Sequence, residues 1–241
     1  MSPQVVDSSI LPAMIVSLHL PKTAGTSFGA ALERHFGAAL LRDYADLPLH
    51  VEPAVRNAAA LRASLAQADL DAPPPACIHG HFLPVKYLLH AQRHGARFVT
   101  WMRHPVERLL SHYFFWQRTP PSSPAQRLHC RMHEEGWSLE TFCLAPELQD
   151  AYSQFLWAFP LEYFDFIGIT EHYDADFALF SRRYLGSEAA PARMNAAPAS
   201  GQGRHQLDPA LRRRIEAFHA RDLALYGRAL QLRLLRTEAR P

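Results

Sequence analysis

Residues 14–29 read MIVSLHLPKTAGTSFG, and the fold follows from this stretch. Its first half, Met14 to Leu20, is a short apolar run of aliphatic and β-branched residues, which predicts a buried strand ended by Pro21. From Ser27 the apolar residues recur at helical spacing as far as Gly37. The stretch therefore predicts a strand, a tight loop and a helix, in that order.

The loop between the predicted strand and helix carries donors that suit an anion. Backbone N–H groups around Ala24, Gly25 and Thr26, together with the helix N-terminus, favour negative charge. The Walker pattern places lysine directly after its second glycine, whereas Lys22 precedes Gly25 here. A glycine turn followed by a Ser or Thr helix cap is also a common connection between a strand and a helix. The loop alone therefore leaves two interpretations open, an anion-binding loop and an ordinary connection.

Three more apolar runs predict strands that alternate with helical patterns. The predicted strands are Ala76–Phe82, Arg97–Met102 and Phe164–Thr170, and the predicted helices cover 54–70, a segment from Pro105, Tyr173–Leu185 and about 209–235. This alternation predicts an α/β fold of the P-loop-like kind, with three layers and a central parallel sheet flanked by helices. The 241 residues are expected to form one domain, 1–241.

Two segments fall outside this pattern. Residues 1–12 are expected to be disordered, as chain ends often are. Residues 186–208 are rich in Ala, Pro, Gly and Ser. A long irregular stretch of this kind in a compact domain predicts a functional lid or a flexible loop.

Composition argues against several partners and sites. The formal net charge is +2 without a basic run or tail, so neither nucleic acid nor a membrane surface is expected as a partner. The apolar stretch Ile10–Leu20 is too short to span a bilayer. Cys77, Cys130 and Cys143 are widely spaced and odd in number, which predicts neither a disulfide framework nor a thiolate zinc site. A reducing, cytoplasmic location is expected.

A second strand-to-helix stretch, WMRHPVERLLSHY at 101–113, favours the anion interpretation. It places Arg103 at the carboxyl end of a predicted strand and Ser111 on the second turn of the next helix. Ligands of open parallel sheets bind outside the carboxyl ends of strands, so Arg103 is expected to face the same crevice as the Lys22 loop. A guanidinium and a hydroxyl together bind phosphate. Two anion sites indicate a nucleotide phosphorylated at both ends.

These stretches resemble the cofactor motifs of sulfotransferases that use 3′-phosphoadenosine 5′-phosphosulfate (PAPS). LPKTAGTSF at 20–28 resembles their 5′-phosphosulfate loop, and RHPVERLLSHY at 103–113 resembles their 3′-phosphate motif. The PKTAGTS form is similar to carbohydrate O-sulfotransferases, such as heparan sulfate 2-O- and 6-O-sulfotransferases and their bacterial relatives. The likeness extends from residue 14 to about 230 through IHGHF at 78–82, FDFIGITEHYDADFALF at 164–180 and IEAFHARDLALYGRAL at 215–230.

The resemblance implies a reaction and a role for each motif. The sulfuryl group of PAPS, the co-substrate, would pass to an acceptor hydroxyl by in-line displacement, without a metal. Lys22 would stabilise the leaving oxygen, and Arg103 and Ser111 would bind the 3′-phosphate. The other residues implied to bind the cofactor are Thr23, Ala24, Gly25, Thr26 and Ser27.

The resemblance also implies a histidine base and a flap. His81 is the first candidate for the base, and His79 is the alternative or an orienting partner. Both project to one face of an extended strand, which leaves the choice open. The candidate flap over adenine and the 3′-phosphate is Ala189–Gly203 with Arg204 just beyond, and it includes Arg193 and Asn195.

The acceptor is expected to be a hydroxyl of a saccharide or glycoconjugate, with a lipid, a peptide tyrosine or a small molecule as alternatives. Four cations lie in segments where acceptor contacts can arise, although a solvated basic surface explains them equally well: Lys86, Arg118, Arg127 and Arg131. No motif in the sequence identifies a particular sugar as the acceptor.

Two other classes of protein are considered. A P-loop kinase would share the strand, loop and helix, but it needs lysine directly after its glycine run and an acidic magnesium ligand ending a strand, and neither is in position. A noncatalytic nucleotide-binding protein would keep Lys22 and Arg103 but show no transfer and no dependence on His81.

Other histidines and acids have structural interpretations. His19 and His104 flank the two motifs and are expected to be local hydrogen-bonding residues. The HCRMH stretch at 129–133 has helical zinc-ligand spacing but no further ligand nearby, so no metal site is predicted. Asp174 and Asp176 are expected to start and cap a helix.

Overall fold

The structure, a computed structural model, describes residues 14–68, 74–186 and 207–238. Its five strands are β1 (Ile15–Leu18), β2 (Leu40–Asp43), β3 (Cys77–Gly80), β4 (Arg97–Met102) and β5 (Phe166–Ile169). They form one sheet in the order β2-β3-β1-β4-β5, and all neighbouring pairs are parallel. The quoted apolar run is therefore the central strand.

Helices cover both faces of this sheet. They are α1 (Gly25–Phe36), α2 (Pro53–Ala68), α3 (Leu88–His94), α4 (Pro105–Arg118), α5 (Arg127–Glu134), α6 (Leu139–Cys143), α7 (Ala151–Phe155), α8 (Tyr173–Phe180), α9 (Pro209–Phe218) and α10 (Ala220–Glu238). Side chains of β1 alternate between the faces. Ile15 belongs to a core cluster with Phe28 of α1 and Phe177 of α8, whereas Val16 belongs to the cluster with Leu109 of α4 and Ala229 of α10.

The predicted fold class, an α/β P-loop-like fold with a central parallel sheet between helices, is confirmed. The four predicted strands are present: Arg97–Met102 has the predicted bounds, and the other three are slightly narrower. Strand β2 was not predicted. It is four residues long and lies at the sheet edge with Leu41 and Arg42 exposed, so no buried apolar run marks it in the sequence.

Two helix predictions need correction. The expected single helix over about 209–235 is divided into α9 and α10 at His219. The His219 imidazole is buried, donates from Nε2 to the Cys143 carbonyl at 2.7 Å and accepts at Nδ1 from the Asp150 N–H at 3.1 Å. These bonds hold the chain where the helix is interrupted. The expected helix over Tyr173–Leu185 is α8 followed by one π turn, Ser181–Leu185.

Some predictions lie outside the described residues, namely the disorder of 1–12 and the candidate flap with Arg193, Asn195 and Arg204. Within the three described ranges, no helix is long and apolar enough to cross a membrane. Nor do three or more His, Cys, Asp or Glu side chains in these ranges form a group that could hold a metal ion.

Candidate functional site

Three neighbouring strand ends meet at one edge of the sheet. Strand β1 pairs in parallel with β3 on one side and β4 on the other, so their carboxyl ends lie together. The loop Lys22–Ser27 follows β1, His81 follows β3 and Arg103 follows β4. The fold thus places the two predicted anion motifs and the predicted base at the same edge.

The loop after β1 has an unfavourable backbone conformation. Lys22 has φ 65° and Ala24 has φ 67°, so two non-glycine residues are left-handed on either side of Thr23. Such a residue costs about 1–2 kcal/mol. Alternation of left- and right-handed residues arranges backbone N–H groups into an anion-binding concavity, and strain of this kind concentrates at functional sites.

Helix α1 presents an uncapped N-terminus to this loop. Its first internal hydrogen bond joins Phe28 N–H to Ala24 O at 3.1 Å, so the N–H groups of Gly25 and Thr26 precede it. No side chain caps the helix, and its first turn holds no acidic residue. The positive end of the helix dipole is therefore available to an anion, and Thr26 is exposed there.

Side chains inside the loop maintain its shape. Thr23 is 0% exposed, and its hydroxyl donates to Leu20 O at 2.8 Å, so this hydroxyl is already used within the loop. Ser27 is also buried. A Cβ on Gly25 would lie 1.8 Å from His19 Nε2, so only glycine fits beneath that ring. The other His19 nitrogen, Nδ1, lies 2.9 Å from the Tyr44 hydroxyl.

The Lys22 side chain reaches across to helix α4. Its Nζ lies 4.0 Å from the centroid of the Phe115 ring, one helical turn beyond Ser111. Burial, followed by the charges of Arg103 and Arg118, lowers the pKa of Lys22 to about 8. None of these three cations forms an ion pair with any described residue. Three like charges therefore lie together here, and none of them is neutralised by an ion pair within the described ranges, which favours an anion.

Arg103 and Ser111 are both accessible from this edge. Each is partly exposed, and neither side chain has a hydrogen-bond partner among the described residues. Ser111 is the seventh residue of α4, which begins at Pro105. Proline at the start of a helix lacks the N–H that would be unpaired there.

His81 has the tautomer of a proton acceptor. Its Nδ1 is hydrogen-bonded to the His19 carbonyl, and a carbonyl oxygen only accepts, so Nδ1 carries the proton and Nε2 the lone pair. Burial lowers the pKa of His81 to about 4, against the opposing effect of that hydrogen bond. The ring is therefore neutral at pH 7. His81 lies just beyond the last residue of β3 and is partly exposed.

His79 has a different environment although it is two residues away. It is 1% exposed, its Nδ1 lies 2.8 Å from Ser17 Oγ, and its buried Nε2 has no hydrogen-bond partner. That Nε2 would lie 2.9 Å from a Cβ on Gly29 of α1. Burial lowers the pKa of His79 to about 3. The ring is packed beneath α1, stacked 5.2 Å from His19.

The four cations that were considered for acceptor binding differ in whether they already form ion pairs. Lys86 binds Asp43 at 2.7 Å and Asp46 at 2.8 Å. Arg131 binds Glu147 at 2.7 Å and its guanidinium lies 4.8 Å from the Trp137 ring. Two exposed arginines have no ion-pair partner among the described residues: Arg118 and Arg127.

The remaining histidines and acids have structural contacts. His129 and His133 both hydrogen-bond from Nε2 to the Trp116 carbonyl, at 3.2 and 2.7 Å. At His104 the backbone N–H donates to Glu171, whereas its buried Nδ1 has no hydrogen-bond partner. Asp176 does not cap α8 as expected. Its carboxylate accepts from Ile169 N–H at 2.9 Å and binds two arginines of α10, Arg233 and Arg236.

Sequence reasoning missed the residues that support the site from a distance. Phe115 lies under Lys22, and Tyr44 binds His19 from the loop after β2. Helical spacing from Ser111 places Phe115 on the same face of α4 and was the one available signal. Tyr44 had none, because β2 itself was not predicted.

No family model matches the sequence, and no curated protein matches it significantly. Among solved structures, a sulfotransferase from Alicyclobacillus acidocaldarius is 16% identical with a TM-score of 0.46, and the match covers 89% of this chain and 94% of that one. A mouse sulfotransferase, SULT7A1 complexed with PAP, is 12% identical with a TM-score of 0.36, and the match covers 86% of this chain and 63% of that one. Both similarities are too low to assign a family.

Proposed function

We propose that this chain is a PAPS-dependent O-sulfotransferase of one domain, which transfers a sulfuryl group to an acceptor hydroxyl of a carbohydrate. One observation carries the proposal. Lys22, Arg103 and Arg118 lie together beside the uncapped N-terminus of α1, at the ends of two adjacent parallel strands, and none of them has an ion-pair partner in the part of the chain that the structure describes. This arrangement suits a ligand with two separated anionic groups.

The residues of both motifs fit the two ends of the PAPS molecule. The loop N–H groups and Lys22 would hold its 5′ end, and Arg103 with Ser111 would hold the 3′-phosphate. PAPS supplies the sulfuryl group that is transferred. The protein's own contribution at the leaving oxygen is the Lys22 ammonium, whose charge compensates the negative charge that develops when the S–O bond breaks.

His81 supports the proposal as general base better than His79 does. The His81 Nε2 lone pair accepts the proton of the acceptor hydroxyl while that oxygen attacks sulfur, and the neutral ring becomes an imidazolium. The carbonyl of His19 stabilises that imidazolium through Nδ1. His79 is enclosed beneath α1, where an acceptor would have to displace the helix.

A carbohydrate acceptor is proposed from the sequence resemblance, with a lipid, peptide or small-molecule hydroxyl as alternatives. Arg118 and Arg127 are the cations that an anionic saccharide would meet, since Lys86 and Arg131 are already paired. The cytoplasmic location stays a prediction.

A nucleotide-dependent kinase is the rival function, and the strand ends disfavour it. The expectation that no acidic residue ends a strand is wrong for Asp43, which ends β2. Its carboxylate, however, binds Lys86 and accepts from the Tyr87 hydroxyl at 2.8 Å. Glu171 follows β5 and accepts from His104 N–H at 2.8 Å. Of the described residues, these two acids lie at or just after strand ends at this edge, and both already have partners.

The test is transfer from labelled PAPS to a panel of acceptors, comprising desulfated anionic polysaccharide, neutral oligosaccharide, a tyrosine peptide and a simple phenol. We expect labelled saccharide with the wild-type protein. His81→Asn is expected to lower the rate by about 10²- to 10⁴-fold without weakening binding of the desulfated product nucleotide, 3′-phosphoadenosine 5′-phosphate (PAP). His35→Asn, an exposed histidine on α1, is the matched control.

Transfer to the peptide or phenol instead would retain the sulfotransferase and reject the carbohydrate acceptor. Phosphoryl transfer from ATP and magnesium, with none from PAPS, would reject the sulfotransferase in favour of the kinase.

A further inference from the structure

The backbone of Arg103 is held by a single phenol hydroxyl. Strand β4 ends at Met102, so Arg103 is the first residue beyond the sheet ladder. The Tyr152 hydroxyl donates to Arg103 O at 2.6 Å and accepts from Arg103 N–H at 3.0 Å. One side chain therefore satisfies both backbone groups of the residue that carries the guanidinium at this edge.

Tyr152 is itself held firmly in place. It is 1% exposed, and burial raises the pKa of its phenol, which keeps the hydroxyl protonated and able to donate. Asp222 of α10 accepts from the Tyr152 N–H at 2.8 Å and from the Ser153 N–H at 3.0 Å, at the start of α7. The Arg108 guanidinium lies 5.4 Å from the Tyr152 ring.

We propose that Tyr152 is a positioning residue that sets the selectivity of the site for a 3′-phosphorylated nucleotide by fixing Arg103, with Asp222 holding Tyr152. The proposal rests on the proposed function, in which Arg103 binds the 3′-phosphate. It extends that function to two buried residues behind Arg103.

The physical reason lies in how an arginine side chain is aimed. Its direction from the backbone is set by the φ and ψ of the residue, and its long flexible stem magnifies a small backbone rotation at the guanidinium. Arg103 lies outside the ladder and before Pro105, where regular structure supplies no other restraint on its own N–H and C=O. Removal of the Tyr152 hydroxyl leaves the Arg103 N–H and C=O without their partner, so the direction of the guanidinium is no longer fixed.

The test measures selectivity rather than stability. Binding of PAP and 5′-AMP is measured by calorimetry, and the ratio of their affinities reports the 3′-phosphate alone. Tyr152→Phe is expected to lower that ratio about tenfold while 5′-AMP affinity changes by less than about twofold. Tyr113→Phe is the matched control, because it removes another buried phenol whose hydroxyl donates to a backbone carbonyl, that of Trp137 at 3.2 Å.

Coupling to Arg103 separates positioning from a general structural effect. In the Arg103→Ala background, Tyr152→Phe is expected to change the ratio by less than about twofold, since no guanidinium remains to be aimed. An equal loss of affinity for both nucleotides, an unchanged ratio, or the same loss in the Arg103→Ala background would each overturn the proposal.

Two controls keep these outcomes distinct. If wild type shows no preference for PAP over 5′-AMP, the proposed function itself fails, whereas a wild-type preference that Tyr152→Phe leaves intact rejects only this inference. Thermal unfolding verifies that each variant is folded. If Tyr152→Phe does not fold, Asp222→Asn tests the same contacts, because Asp222 holds Tyr152 and Tyr152 holds Arg103. A reduced ratio of PAP to 5′-AMP affinity then supports the proposal, and an unchanged ratio overturns it.

Discussion

At the junction of β1 and α1 the backbone itself is in an unfavourable conformation, whereas at the junction of β4 and α4 an ordinary backbone is held by distant side chains. Lys22 and Ala24 are left-handed in the first junction. In the second, His104 has φ −50° and ψ 126°, and Arg103 is held by the hydroxyl of Tyr152. In the proposed function, backbone N–H groups would bind the first anion and side chains the second.

The difference determines which substitutions each junction tolerates. The first junction depends on local geometry, so a single added atom is expected to disrupt it. The second depends on contacts between elements that are far apart in sequence, so it is expected to weaken gradually as those contacts are removed.

Among substitutions within the two junctions, the largest effect is expected from Gly25→Ala in the first. The new Cβ would lie 1.8 Å from His19 Nε2, so the loop or the ring must move, and a displacement of about 1 Å costs about 100-fold in activity. Sulfuryl-transfer rates and PAP binding measure the loss. Gly227→Ala is the control, because a Cβ there meets nothing within 4 Å. Equal activities of the two variants would contradict a tightly built loop.

The affinity for PAP is expected to change about tenfold with pH through Lys22 of the first junction. Because the pKa of Lys22 is lowered to about 8, chiefly by burial, its ammonium loses its proton as pH rises through 8, and about one-tenth of the molecules keep the charge at pH 9. PAP affinity should be about tenfold lower at pH 9 than at pH 7, a range in which the phosphates, with a second pKa of about 6, are already ionised. Lys22→Arg should remove this dependence, because a guanidinium stays charged. The same decline in both proteins would assign it to another group.

The smallest effect compares the backbones directly through glycine substitutions. Ala24→Gly relieves a left-handed conformation and should raise the free energy of unfolding by about 1 kcal/mol. His104→Gly relieves nothing and should lower it by a similar amount, since glycine gains more freedom in the unfolded chain. Chemical denaturation measures both. Changes of the same sign would show that the junctions do not differ in backbone strain.

The parts of the site that could be predicted are those encoded over short stretches. The strand, loop and helix around Lys22, and the spacing from Arg103 to Ser111, follow from local pattern and turn chemistry. Tyr152 and Asp222 could not be found this way, because their contacts span 49 and 70 residues and carry no local signal. The environments of His79 and His81 likewise differ because β3 ends at Gly80, and strand ends are set by pairing with neighbours.

In the proposed function, two differently built junctions hold the two ends of one nucleotide. Calorimetry with PAP, 5′-AMP and 3′-AMP on the wild type, Lys22→Ala and Arg103→Ala tests it most directly. Arg103→Ala should lower the affinities for PAP and 3′-AMP at least about tenfold and leave 5′-AMP within about twofold, and Lys22→Ala should show the reverse pattern. If both variants weaken all three nucleotides equally, or if wild type binds ATP with magnesium more tightly than PAP, the claim is contradicted.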